Sequence, residues 1–137
     1  MKDFRLVAID LDGTLLASDY TVSRRNRAAI SKLVERGIRV TLCTGRMYAS
    51  AAIYARELGL DTPLIAYQGA LVKHAGTGEV IYERFVPLSL CRHLVLMARD
   101  YGLTINAYWQ DELYVEKATP EAVTYARISQ VPFREVG

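Results

Sequence analysis

The sequence predicts a doubly wound α/β core followed by the opening elements of a second, smaller α+β unit. Two observations carry that prediction. Over residues 4–66, short apolar segments alternate with amphipathic ones in the order strand, helix, strand, helix, strand. Links that short between like-directed strands imply a parallel sheet covered by helices. After Pro87 the pattern changes to one helix, a hairpin and a further helix, a set too small to bury much by itself.

The elements follow in order. "FRLVAID" (4–10) is apolar and partly β-branched, and reads as a buried strand. Ser23 offers an N-cap for a helix that places Ala29, Ile30, Leu33 and Val34 on one face and stops at Gly37. "IRVTLCT" is a second buried strand, and the alanine-rich "MYASAAIYAREL" is a helix stopped by Gly59. "PLIAY" is the third strand, and "QGALVKHAGTGEVIYERFV" is a hairpin turning at Gly76-Thr77-Gly78. With no third glycine after a strand, that turn is no dinucleotide fingerprint. Beyond Pro87, "LSLCRHLVLMARDYG" is a helix using Leu90, Leu94 and Met97. "LTINAYW" and "LYVEK" are strands turning about Gln110-Asp111-Glu112, and Thr119-Pro120 caps and opens the last helix. Tyr108, Trp109 and Tyr114 are expected to pack on the sheet. The domain boundary falls between residues 86 and 87.

Composition narrows the function. A net charge of +2 gives no support to nucleic acid or an anionic membrane as partner, and "RRNR" at 24–27 reads as a solvated helix start. No stretch approaches the roughly 20 apolar residues of a membrane span, and the N-terminus is unlike a signal peptide. Cys43 and Cys91, both in apolar surroundings, are expected to be buried free thiols, which points to the cytoplasm. His74 and His93 have no partners at metal-ligand spacing.

Candidate chemistry gathers where such folds bind ligands, beyond the carboxyl ends of the strands. Asp10 and Asp12 follow strand 1, Thr44-Gly45-Arg46 follows strand 2, and Gln68-Gly69 follows strand 3. A lone Asp-Gly marks a turn; the joint pattern of D-x-D-G-T and T-G-R is what points to a site. The two carboxylates point the same way if the backbone stays extended, and diverge if it turns at Leu11.

"DLDGTLL", "TLCTGR" and "LIAYQGALV" resemble the haloacid dehalogenase-like hydrolases, in particular the Cof-type sugar-phosphate phosphatases, along nearly the whole chain. The resemblance implies a Rossmann-like core, here incomplete, with the beginning of an α+β cap. It implies a Mg²⁺-dependent phosphomonoester hydrolase acting on a small phosphorylated substrate. Asp10 would be the nucleophile and Asp12 the general acid and base. Asp10, and Asp12 through its main-chain carbonyl, would ligate Mg²⁺. Thr44 and the N–H groups of Leu11 and Gly45 would hold the phosphoryl group. Arg46 would contact a substrate anion or form an orienting ion pair, with a purely structural role as the alternative. Where the family has Asn-Gly-Ala, this chain has Gln68-Gly69-Ala70.

The family also has a lysine and a G-D-x-x-N-D-like segment after later strands. None of Lys2, Lys32, Lys73 and Lys117 stands in a matching context. The chain is therefore expected to stop inside the cap, to have little activity alone, and to present strand 1 as an open edge prone to self-association. A mutase of the same superfamily shares Asp10 and Asp12, and a non-catalytic assembly module is a further reading. A receiver-type phospho-acceptor domain fits poorly, since strand 3 ends in Gln68 where an Asp would be needed.

Overall fold

The computed structural model describes residues 4–137, which divide into two compact units, 4–83 and 84–137. In the first, the order is β1 (Leu6–Ile9), α1 (Arg24–Glu35), β2 (Arg39–Leu42), α2 (Tyr48–Glu57), β3 (Pro63–Ala66), β4 (Leu71–His74) and β5 (Val80–Glu83). β1 pairs parallel with β2, from Leu6 opposite Arg39 to Ile9 opposite Leu42. β3 lies beyond β2 and parallel to it, joined through the Cys43–Ile65 bridge. Threonine hydroxyls complete that seam: Thr62 Oγ1 donates to the Val40 carbonyl at 2.6 Å, and Thr41 Oγ1 donates to the Pro63 carbonyl. β4 and β5 extend the sheet antiparallel from β3.

Capping and turn chemistry place these elements. Ser23 Oγ accepts the Asn26 N–H at 3.1 Å, which starts α1. Gly37 and Gly59, both at positive φ, end the helices. Leu11, Val40, Leu42, Tyr54 and Leu64 are the centre of a core closed by Ala51, Ala55 and Ala66. The alanines of α2 let that helix lie close on the strands.

Burial corrects several expectations. β1 is exposed and half-buried in alternation, with Leu6 57 % exposed, because it pairs on one edge and nothing among the described residues covers the other. On α1 only Ile30 is fully buried; Leu33 is half-buried, while Ala29 and Val34 are exposed. Cys43 is exposed and Cys91 only half-buried. The alternation that buries Leu42 turns the Cys43 thiol to the uncovered side.

The second unit holds α3 (Leu88–Asp100), β6 (Asn106–Trp109), β7 (Glu112–Val115), α4 (Pro120–Ser129) and β8 (Phe133–Glu135). β6 and β7 form the expected hairpin, turning on Gln110 and Asp111, both at positive φ. Thr119 Oγ1 caps α4 by accepting the Ala122 N–H at 3.2 Å. β8 was not expected: it pairs parallel with β7 after the α4 crossover. α3 buries Ala98, while Leu90 and Met97 are exposed and Leu94 is half-buried. Tyr108 and Trp109 are exposed, Trp109 stacking against Phe85 with ring centroids 5.6 Å apart. No helix among the described residues is long and apolar enough to cross a membrane.

Candidate active site

Strand β1 ends at Ile9 and delivers Asp10 into a tight turn. Asp12 (φ −77°, ψ 122°) and Gly13 (φ 73°, ψ 2°) are the two central residues of a type II turn, whose second position needs positive φ. Gly13 meets that need without strain. Main-chain bonds from Leu15 N–H to Asp10 O (3.2 Å) and Leu16 N–H to Leu11 O (2.9 Å) then close the segment. The backbone therefore turns at Leu11, and the two carboxylates acquire different partners. Asp10 is exposed and accepts the Thr14 hydroxyl at 3.1 Å. Asp12 accepts Arg46 Nε at 2.8 Å and Arg46 Nη2 at 2.7 Å, a bidentate pair.

The Arg46 side chain is 6 % exposed against 49 % for Asp12, so the pair is anchored from the arginine side. Arg46 Nη1 donates to the buried Ser50 Oγ at 3.2 Å. The guanidinium also lies over the Tyr20 and Tyr54 rings, 5.6 and 5.5 Å from their centroids. Its two donors hold the Asp12 carboxyl below the usual carboxylate range. The structure gives Arg46 an ion pair with Asp12 and a buried, packed setting.

Thr44 is buried, and its Oγ1 accepts the Arg46 N–H at 3.2 Å, which leaves the hydroxyl proton free to donate outward. The N–H groups of Leu11 and Gly45 have no hydrogen-bond partner among the described residues, although Leu11 itself is fully buried. Unpaired donors at a strand end are an anion cradle. Two carboxylates with different partners and a cluster of donors are thus gathered at the ends of β1 and β2.

No group of three His, Cys, Asp or Glu side chains among the described residues could hold a metal ion. The donors at hand are one open carboxylate, Asp10, and the main-chain oxygen of Asp12. Hard oxygen donors that few suit a Mg²⁺ ion, which keeps most of its waters. They do not make a dedicated protein cage.

Ser50, Tyr20 and Tyr54 were not expected in the site. The signal in sequence was weak: Arg46, Ser50 and Tyr54 recur every four residues along one side of α2 and its approach. Tyr20 comes from a separate loop, held by the Tyr54 hydroxyl donating to its carbonyl at 3.1 Å.

The profile of a family described as haloacid dehalogenase-like hydrolase matches residues 7–135. The chain is 35% identical over 111 residues to the 5-amino-6-(5-phospho-D-ribitylamino)uracil phosphatase YitU of Bacillus subtilis, covering 80% of this chain and 41% of that protein. It is 44% identical over 106 residues to YwtE of the same organism, also named a 5-amino-6-(5-phospho-D-ribitylamino)uracil phosphatase, covering 77% of this chain and 35% of YwtE. A crystal structure of a haloacid dehalogenase-like hydrolase from Bacteroides thetaiotaomicron superposes with a TM-score of 0.88 at 29% identity, over 98% of this chain and 52% of that one. The chain spans between about a third and about half of the length of these relatives.

Proposed function

The chain belongs to the haloacid dehalogenase-like hydrolase family, and on that premise we propose that it carries the nucleophile and acid/base half of a Cof-type phosphomonoesterase. The observation that carries this reading is the division between the two carboxylates: Asp10 stands open beside unpaired N–H donors, and Asp12 is held apart by Arg46.

In the first step an Asp10 oxygen forms a bond to phosphorus, and the ester P–O bond breaks. The leaving alcohol oxygen takes its proton from Asp12, giving an aspartyl-phosphate. In the second step water attacks phosphorus and gives a proton to Asp12. The bond to Asp10 breaks, and inorganic phosphate leaves. Thr44, Leu11 N–H and Gly45 N–H hold phosphoryl oxygens through both steps. A Mg²⁺ ion, bound through the Asp10 carboxylate and the Asp12 main-chain oxygen, would offset charge on the phosphoryl group. A carboxylate with both oxygens taken by a guanidinium does not carry a proton. The bidentate contact with Arg46 therefore suits the deprotonated form of Asp12, which exists between the two steps and takes the proton of the attacking water; that proton is the one it gives to the next leaving alcohol.

Two relatives are named for a phosphomonoester on a polyol chain, which supports a small sugar-phosphate-like substrate here. The two free cysteines suit a reducing compartment, the cytoplasm. With no lysine in the context the family uses, the 137-residue chain alone is expected to show little or no turnover. A longer protein joining this chain to a lysine- and aspartate-bearing segment is expected to release phosphate from phosphomonoesters with Mg²⁺, and Asp10→Asn to abolish that release. Persistence of turnover in Asp10→Asn refutes the nucleophile assignment. Turnover by the 137-residue chain near that of a full-length relative refutes the dependence on further residues.

A further inference from the structure

The loop after β3 lays a carboxamide against the proposed phosphate cradle. Gly45 has no room for a side chain, because a Cβ built there would lie 2.1 Å from Gln68 Nε2 and 2.9 Å from Gln68 Cδ. The terminal amide of Gln68 is therefore packed against the α-carbon of Gly45. The backbone that delivers it is forced. Tyr67 and Gln68 both take left-handed conformations (φ 51° and 56°), which non-glycine residues rarely adopt, and Gly69 follows at φ 90°. Two main-chain bonds hold this strained pair in place: Tyr67 N–H to Arg46 O at 2.9 Å, and Gln68 N–H to Thr44 O at 3.3 Å. The two acceptors flank Gly45, so the 67–69 loop and the Thr44-Gly45-Arg46 segment form one structure.

The carboxamide has no other employment. Gln68 is exposed, and its side chain makes no hydrogen bond to any described residue. Strain held in place by neighbouring hydrogen bonds gathers at ligand-binding loops, and here its outcome is an amide laid against Gly45, in the segment that also carries Thr44.

We infer that Gln68 is a substrate-contacting residue, its Nε2 donating a hydrogen bond to a phosphoryl oxygen seated on Thr44 and Gly45. The inference rests on the reading of that loop as the phosphate site. It differs from a packing role in one respect: packing needs the size of Gln68, whereas anion binding needs its N–H donors.

The probe is inorganic phosphate, titrated into the 137-residue chain with the Gly45 and Thr44 amide resonances followed by NMR. Wild type is expected to show saturable shifts at both. Gln68→Ala removes one donor to a charged acceptor and is expected to weaken phosphate about tenfold. Gln68→Glu keeps the size but replaces the donor with a negative charge, and is expected to weaken binding further, with an unchanged thermal midpoint. Thr44→Val serves as the control for the site itself. If Thr44→Val weakens phosphate while both Gln68 variants bind like wild type, the Gln68 assignment is overturned and the phosphate site stands. If wild type gives no saturable shift at Gly45, or Thr44→Val has no effect, the phosphate site is overturned and the Gln68 assignment with it.

Discussion

Arg46 shows how much at the residue scale depends on contacts that no local pattern encodes. Its guanidinium is buried and engages Asp12, Ser50 and two tyrosine rings drawn from three separate segments. Removing the carboxylate by Asp12→Ala leaves a buried cation with its two strongest acceptor contacts gone. Such unsatisfied donors cost about 1–3 kcal/mol, more where charged, so the urea midpoint is expected to fall. Arg46→Lys keeps the charge but loses the planar fork that makes the bidentate contact, and it is expected to fall with it. A midpoint unchanged in both variants, measured by fluorescence across a urea series, contradicts the anchoring role. At this scale Asp10, Asp12 and Thr44 were legible because their spacing at strand ends is itself the signal. An ion pair of Arg46 was one of the options its position after β2 left open. Its tyrosine and serine partners were not legible, since a cage closed through space leaves no period in the chain. Cys43 failed for a related reason: an apolar neighbourhood in sequence says nothing about which sheet face lacks a cover.

At the scale of elements, local chemistry was the reliable guide. Ser23, Gly37, Gly59 and the Thr119-Pro120 pair mark helix ends as their side chains and backbone freedom require. Ser23→Ala removes the acceptor for the Asn26 N–H and is expected to cost about 1 kcal/mol, read as a lower denaturation midpoint at unchanged m-value. Ser23→Asp is expected to restore most of that loss, because an Asp oxygen can accept the same N–H. An alanine variant as stable as wild type argues that another contact sets the start of α1. The element missed was β8. Three residues are too few to display an alternation, and the strand exists because α4 carries the chain back alongside β7. Arg134 of β8 then pairs with Glu112 of β7 at 2.6 Å, and Tyr114 donates to the same carboxylate at 2.6 Å. The Arg134–Glu112 pair is largely open to solvent, so it adds little stability. The register is held by main-chain bonds and by buried Leu113 and Val115.

At the scale of the whole chain, the open flank of the first unit has consequences for its state in solution. β1 pairs with β2 along one edge, and no other described strand pairs with its second edge. The carbonyls of Arg5 and Ile9 accept from β2, through Arg39 and Cys43, so by alternation the polar main chain of Leu6 and Ala8 faces the open side. Phe4 and Leu6, 75 % and 57 % exposed, add apolar surface to that edge. An edge with unpaired N–H and C=O groups and exposed apolar side chains is a template for another strand. The 137-residue chain is therefore expected to self-associate as its concentration rises, as the sequence had suggested before any burial was known. Ala8→Pro tests this at one atom. Proline removes an outward N–H while leaving the bonds from Arg39 and Cys43 to β1 intact, and its fixed φ suits an extended edge strand. The variant is expected to sediment as a monomer at concentrations where wild type does not, with its circular dichroism unchanged. Leu6→Lys, which places a charge on the same edge without touching the backbone, should act in the same direction. A wild-type chain that sediments as a monomer at high concentration contradicts the open-edge reading. Association that survives both substitutions places the contact elsewhere on the molecule.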